Sequence, residues 1–286
     1  MTNISNGWRR AWRRGWRRRL CGLLLFSLLP INLAGAAVGG ASGRALAASP
    51  AQEPPDTITR ATVEAALPGL ERSVQQVMET TGIPGMAVAV VFEDEVVFLQ
   101  GFGVRAAGQP ETVDPDTVFQ LASVSKPLAS TVVAALVGDK VVDWDDKIAD
   151  LYPGFRLADP LATQEVTIRD LFSHRSGLPE FAGDLLEDMG YGRDQVIARL
   201  RYLAPASSFR SGYAYTNFGL TLAAEAAARA AGMSWEDVAQ AELYGPLGMT
   251  STSSRYADFV SRPNRAVGHV LIDGAWTAKY ARQPDA

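Results

Sequence analysis

Two valine-rich apolar runs, 86–92 and 96–102, are parted only by Glu93-Asp94-Glu95. Short runs of this kind, broken by a polar turn, predict a β-hairpin buried on at least one face. From about Thr117 the period changes to a helical one and keeps it for over a hundred residues. Residues 123–137 read as one helix ended by Gly138, and Thr167-Ile168-Arg169-Asp170 as a capping box opening a short helix through Ser173. Residues 220–231 read as an Ala-rich helix stopped by Gly232, and Ser234 as the cap of another, with Asp237 three residues on. A second hairpin signal closes the order, 267–272 and 275–280 flanking Asp273-Gly274. Strand pair, helical block, strand pair, with no βαβ alternation, predicts an α+β chain. The antiparallel sheet domain takes about 70–116 and 265–286, and the inserted helical domain about 117–264. Ahead of the first hairpin, Leu70, Val74, Val77 and Met78 predict a helix over 70–80, stopped by Gly82-Ile83-Pro84-Gly85, while 48–69 reads as a flexible lead-in.

The first 47 residues are read as an address rather than as part of the fold. Seven arginines between Arg9 and Arg19, interleaved with Trp8, Trp12 and Trp16, precede an apolar run over 20–33 and then small residues ending Ala45-Leu46-Ala47. A basic head, a short apolar stretch and an A-x-A site make a secretory signal peptide, and the run falls short of the roughly 20 residues a membrane span needs. The expected destination is exported, periplasmic or extracellular, by the general or the twin-arginine route, with membrane contact only through this segment if it stays uncleaved. Residues 1–47 hold 8 arginines and no acid, which leaves 19 basic against 31 acidic residues beyond them. An acidic domain repels phosphates, so nucleic acid is not an expected partner. The single cysteine, Cys21, excludes an intramolecular disulfide and a cysteine-based zinc site.

Two short constellations could carry chemistry. Ser123-Val124-Ser125-Lys126 places a hydroxyl and an amine three residues apart, on one face of a starting helix. A serine there is a nucleophile if a neighbour takes its proton. Tyr215-Thr216-Asn217 offers a phenol, which acts as a base when a cation stands beside it. Its carboxamide two residues on can accept from the lysine and donate to a substrate carbonyl. Either pattern alone arises easily by chance, and the plain alternatives are an N-cap serine, a solvated lysine, a buried tyrosine and a turn asparagine. Only two histidines exist, His174 and His269, and there is no G-x-S-x-G elbow, so a Ser-His-Asp arrangement is not expected. His174 is expected to bond carbonyls as a cation at the end of its short helix. Asp145 and Asp146 read as a solvated cap, and no His/Asp cluster has metal-ligand spacing, so neither metal nor cofactor is expected.

Taken in order, 123–127 (SVSKP), 167–179 (TIRDLFSHRSGLP), 213–219 (YAYTNFG) and 245–249 (GPLGM) resemble the serine beta-lactamase-related family. That family includes class C beta-lactamases, D-alanyl-D-alanine carboxypeptidases and related esterases. The resemblance covers roughly 70–280. It implies a beta-lactamase/transpeptidase-like fold and an acyl-enzyme mechanism on an amide, lactam or ester. Ser123 would be the nucleophile, Lys126 and Tyr215 the proton-handling pair, and Asn217 a substrate-positioning group. The implied partner is a small-molecule or peptide-like substrate. The family also carries Lys-Thr-Gly or His-x-Gly on a late strand, and no such motif follows Tyr215; Gly268-His269-Val270 is a loose echo. The chain therefore looks C-terminally incomplete, with an open edge on its early hairpin and low expected turnover. The competing expectation is a truncated, non-catalytic remnant or a wall-associated ligand-binding pseudoenzyme.

Overall fold

The computed structural model describes residues 58–279. The signal-peptide segment, Cys21, residues 48–57 and Tyr280 lie outside that range. In chain order the regular elements are α1 (Arg60–Thr81), β1 (Gly85–Phe92), β2 (Glu95–Gly103), α2 (Ser125–Gly138), α3 (Ile148–Leu151), α4 (Pro160–Glu165), α5 (Ile168–Phe172), α6 (Asp184–Asp188), α7 (Arg193–Arg199), α8 (Asn217–Ala230), α9 (Trp235–Ala239), α10 (Tyr256–Ser261), β3 (His269–Ile272) and β4 (Ala275–Ala278). Strand pairs thus flank a helical block, in the expected α+β order.

The lead-in over 48–69 is corrected by α1, which begins at Arg60. Thr59 and Thr62 form a reciprocal capping box, which meets N–H groups that a helix start leaves without partners. The apolar phase of Leu70 and Val74 also runs backwards through Val63 and Leu67. Pro68 conceals this in the sequence, because a proline inside a helix removes a hydrogen bond. Here it lies on the exposed face of α1.

β1 and β2 pair antiparallel, with Phe92 opposite Glu95. The turn is therefore Glu93-Asp94 alone. Both residues take left-handed backbone, φ 51° and 65°, the geometry that suits the strand twist of a two-residue hairpin. One face of the hairpin is half-buried; Val91, Val96 and Leu99 on the rest are exposed. β3 and β4 form a separate two-stranded sheet turning at Asp273-Gly274. The segment after β2 joins the two hairpins: Val118 bridges Arg265, and Val267 N–H donates to the Arg105 carbonyl. Trp276 of β4 donates its indole N–H to the Thr81 carbonyl at the end of α1 (2.9 Å).

The core belongs to the helices, and α8 is its axis. Leu222, Ala223, Ala226, Ala227 and Ala228 of α8 are fully buried. Alanine on so many faces lets α2, α3, α5, α7 and α9 approach the axis closely. They bring Val132, Val133, Ile148, Ile168, Leu171, Val196 and Val238 into one cluster. α8 starts at Asn217, three residues before the helix read from sequence. Gly219 lies in its first turn, where a Cβ would stand 2.3 Å from the hydroxyl of the buried Thr216, so only glycine fits there. At its far end Gly232 takes φ 70° and stops the helix, as expected. α2 differs: Gly138 is its last helical residue, and the left-handed reversal falls on Lys140, φ 62°.

Candidate active site

Ser123 sits in a single 3-10 turn, Ala122–Val124, that feeds directly into α2. Pro127 falls in the first turn of α2, where no intrahelical N–H is needed. Ala122, just before the serine, has φ 46°. A non-glycine residue in that region costs about 1–2 kcal/mol, and such strain is held only where the surroundings impose it. Ser123 itself is exposed, and Lys126 lies one turn on, half-buried.

Tyr215 reaches the same point from another direction. Two loop segments run side by side, 174–181 and 206–216. Ala214 N–H donates to the His174 carbonyl (2.9 Å), Phe181 N–H to the Tyr215 carbonyl (2.8 Å) and Ala206 N–H to the Gly177 carbonyl (2.9 Å). Gly177 permits this approach: it has φ 87°, and a Cβ there would stand 2.9 Å from the Ser207 carbonyl oxygen. Arg210 ties the second segment to α5 by donating Nε and Nη2 to the two Asp170 oxygens (2.9 and 2.7 Å). Burial alone would raise the Asp170 carboxyl, but Arg210 and the Thr167 cap hold it below the usual carboxylate range.

These supports bring all four sequence-identified residues together. The Ser123 and Tyr215 hydroxyls are 2.7 Å apart. Lys126 Nζ donates to Ser123 Oγ at 3.2 Å and to Asn217 Oδ1 at 2.6 Å. The same nitrogen lies 4.6 Å from the centre of the Tyr215 ring. Two groups able to take a proton thus flank one serine oxygen. A cleft of about 690 Å³ is lined by Ser123, Lys126 and Asn217 together with Leu128, Phe218 and Trp235. That is room for a small-molecule or peptide-like ligand.

His174 is corrected. It does not bond carbonyls as a cation: its Nδ1 accepts the Thr216 N–H at 3.2 Å. An accepting nitrogen carries no proton, so the ring is neutral, and burial followed by the nearby Lys126 charge lowers its pKa below the ordinary histidine value. It packs against Tyr215 and Tyr213, ring centres 4.8 and 5.5 Å away. Unfolded, His174 titrates near 6.5; folded, it resists protonation to a lower pH. Between those values the unfolded state binds more protons, so stability falls as pH drops through that window. Denaturation midpoints are therefore expected to be lower near pH 5 than near pH 7.5. His174→Gln, which keeps an acceptor and cannot titrate, should flatten that slope; an unchanged slope in the variant would contradict this assignment.

His269 lies elsewhere, its Nε2 accepting the Ala107 N–H (2.9 Å) at the start of β3. Asp145 pairs with Arg169, and Asp146 accepts from Asp143 N–H. Among the described residues no group of three His, Cys, Asp or Glu side chains could hold a metal ion. One contact was not visible in the sequence. Asp184 Oδ2 accepts from Asn217 Nδ2 at 2.7 Å, across 33 residues and with no spacing to announce it.

This fold and site define the class, a mixed-α/β scaffold with small antiparallel sheets of the beta-lactamase/transpeptidase kind. It is similar to the octameric penicillin-binding protein homologue from Pyrococcus abyssi, with a TM-score of 0.68 at 20% identity over 76% of this chain and 51% of that one. The beta-lactamase family model matches residues 70–280, and the chain belongs to that family. Its relatives include the unguisins hydrolase ungD' of Aspergillus campestris, 32% identical over 70% of this chain and 38% of the relative. Penicillin-binding protein 4 of Amycolatopsis lactamdurans is 33% identical over 58% of this chain and 44% of the relative. The chain spans less than half the length of these two curated relatives.

Proposed function

We propose that the chain is an exported serine hydrolase that opens an amide, lactam or ester through an acyl-enzyme on Ser123. The observation that carries this reading is the convergence on Ser123 Oγ, with the Tyr215 hydroxyl at 2.7 Å and Lys126 Nζ at 3.2 Å. As Oγ bonds to the substrate carbonyl carbon, its proton passes to this pair. The carbonyl oxygen becomes an oxyanion, then reforms its double bond as the amine or alkoxide leaves with that proton. Water repeats the steps on the acyl-serine and releases the acid. Asn217 accepts from Lys126 and keeps one N–H for the substrate carbonyl.

The name of one relative, a hydrolase, supports the reaction type, and that of another, penicillin-binding, supports an amide or lactam. The basic head and apolar run of the first 47 residues support export. No described helix is long and apolar enough to cross a membrane. The acidic balance beyond residue 47 argues against nucleic acid as a partner.

The test is to incubate the 286-residue chain with a fluorescent penicillin and a chromogenic ester. A covalent adduct with at least one of them is expected. A folded chain that forms no adduct and releases no product would overturn the reading.

A further inference from the structure

The four-residue group has a fifth member that no motif contains. Asp184 opens α6 directly after Gly183, whose φ of 94° and lack of a side chain let the loop turn against Val196 and Phe218. The turn delivers the Asp184 carboxylate to the carboxamide of Asn217. Oδ2 accepts from Asn217 Nδ2 at 2.7 Å. Oδ1 is buried and has no hydrogen-bond partner among the described residues. A carboxylate bonded at one oxygen and bare at the other is a poor stabiliser of a fold, so what Asp184 contributes lies in its bond to Asn217.

That bond decides which way Asn217 faces. A carboxamide presents an acceptor on one side and donors on the other. In the observed orientation Oδ1 accepts from Lys126 and Nδ2 donates to Asp184. Turned over, the oxygen would face a carboxylate, acceptor against acceptor. Lys126 cannot hold this orientation through a whole reaction. A neutral amine both donates and accepts, so a lysine that gives up a proton ceases to dictate the flip. A carboxylate only accepts, whichever form the lysine takes.

We propose that Asp184 is a positioning residue: it fixes the Asn217 carboxamide so that Oδ1 holds Lys126 against Ser123 in both protonation states of the lysine. This rests on the acyl-serine reading above.

The experiment compares labelling of the full chain by a fluorophosphonate probe in the parent and four variants. Asp184→Ala removes the acceptor without adding bulk. It is expected to slow labelling by about 10²-fold, the scale of a misplaced catalytic group. Asp184→Asn keeps an acceptor oxygen and should stay within about tenfold of the parent, because geometry rather than charge is restored. Asn217→Ala should be slow, and adding Asp184→Ala to it should cost nothing further, since Asp184 acts only through Asn217. A purely structural role would give additive losses and no rescue by asparagine. A second readout needs no chemistry at Ser123: in ¹⁵N NMR one Asn217 side-chain amide proton should exchange slowly in the parent and in Asp184→Asn, and rapidly in Asp184→Ala. Parental labelling and parental amide exchange in Asp184→Ala, or equal losses in the alanine and asparagine variants, would overturn the proposal. If the parent itself is not labelled at Ser123, the hydrolase reading fails instead, and the amide protons still decide the role of Asp184.

Discussion

Tyr215→Phe is expected to slow acylation of Ser123 by about 10²–10⁴-fold, the usual worth of a positioned acid–base group. The substitution removes one hydroxyl and almost no volume. The ring's contacts with His174 and Phe181 and the backbone bond to Phe181 do not depend on that hydroxyl, so the fold should survive. What is lost is the oxygen 2.7 Å from Ser123 Oγ. Lys126→Ala should cost at least as much, because Nζ bonds both Ser123 and Asn217 and lies over the Tyr215 ring. The two groups serve one proton, so the double variant should be little slower than the worse single one. Labelling rates with the fluorescent penicillin for the parent, both singles and the double test this directly. Losses that multiply would mean that the two side chains do not share a proton path.

Gly183→Ala is the second large effect, and it falls on stability. Gly183 has φ 94°, and a Cβ there would stand 2.6 Å from Val196 Cγ1 and 3.1 Å from Phe218 Cδ2. Val196 is fully buried and Phe218 nearly so, so neither can step aside. Left-handed strain in a non-glycine residue costs about 1–2 kcal/mol, and overpacking a tight core about 1–3 kcal/mol. The sum, about 2–5 kcal/mol, is a large share of the roughly 5–15 kcal/mol that holds a domain folded. Urea denaturation measures it. A change below about 0.5 kcal/mol, the range of an ordinary surface substitution, would contradict it.

Much of this molecule is legible in its sequence where the determinants are local. The capping box at Thr167, the N-cap at Ser234, the stop at Gly232 and the turn at Asp273-Gly274 depend on neighbours within a few residues, and each forms where the sequence places it. Ser123 and Lys126 share a helix face for the same reason. That they meet Tyr215 and Asn217, some 90 residues away, follows from the ordered motifs through the family they resemble and not from any local rule. The misses come from long-range or masking effects. Pro68 hid the first ten residues of α1. Gly219 in the first turn of α8 weakens the helical signal there, and the contact that requires a glycine, the Thr216 side chain, shows only in the folded chain. His174 was read by its place at a helix end, but the partner that fixes its proton, the Thr216 N–H, comes from the facing loop. Asp184 was invisible because only the turn at Gly183 carries it to Asn217.

On the proposed mechanism Ser123 Oγ is the attacking nucleophile. The most direct test is to label the parent chain, Ser123→Ala and Ser125→Ala with the fluorophosphonate probe and to locate the adduct by fragment-ion mass spectrometry. Expected are one adduct per chain on Ser123 in the parent, none in Ser123→Ala, and near-parental labelling in Ser125→Ala. Full labelling of a folded Ser123→Ala, or an adduct mapped to Ser125 in the parent, would contradict it.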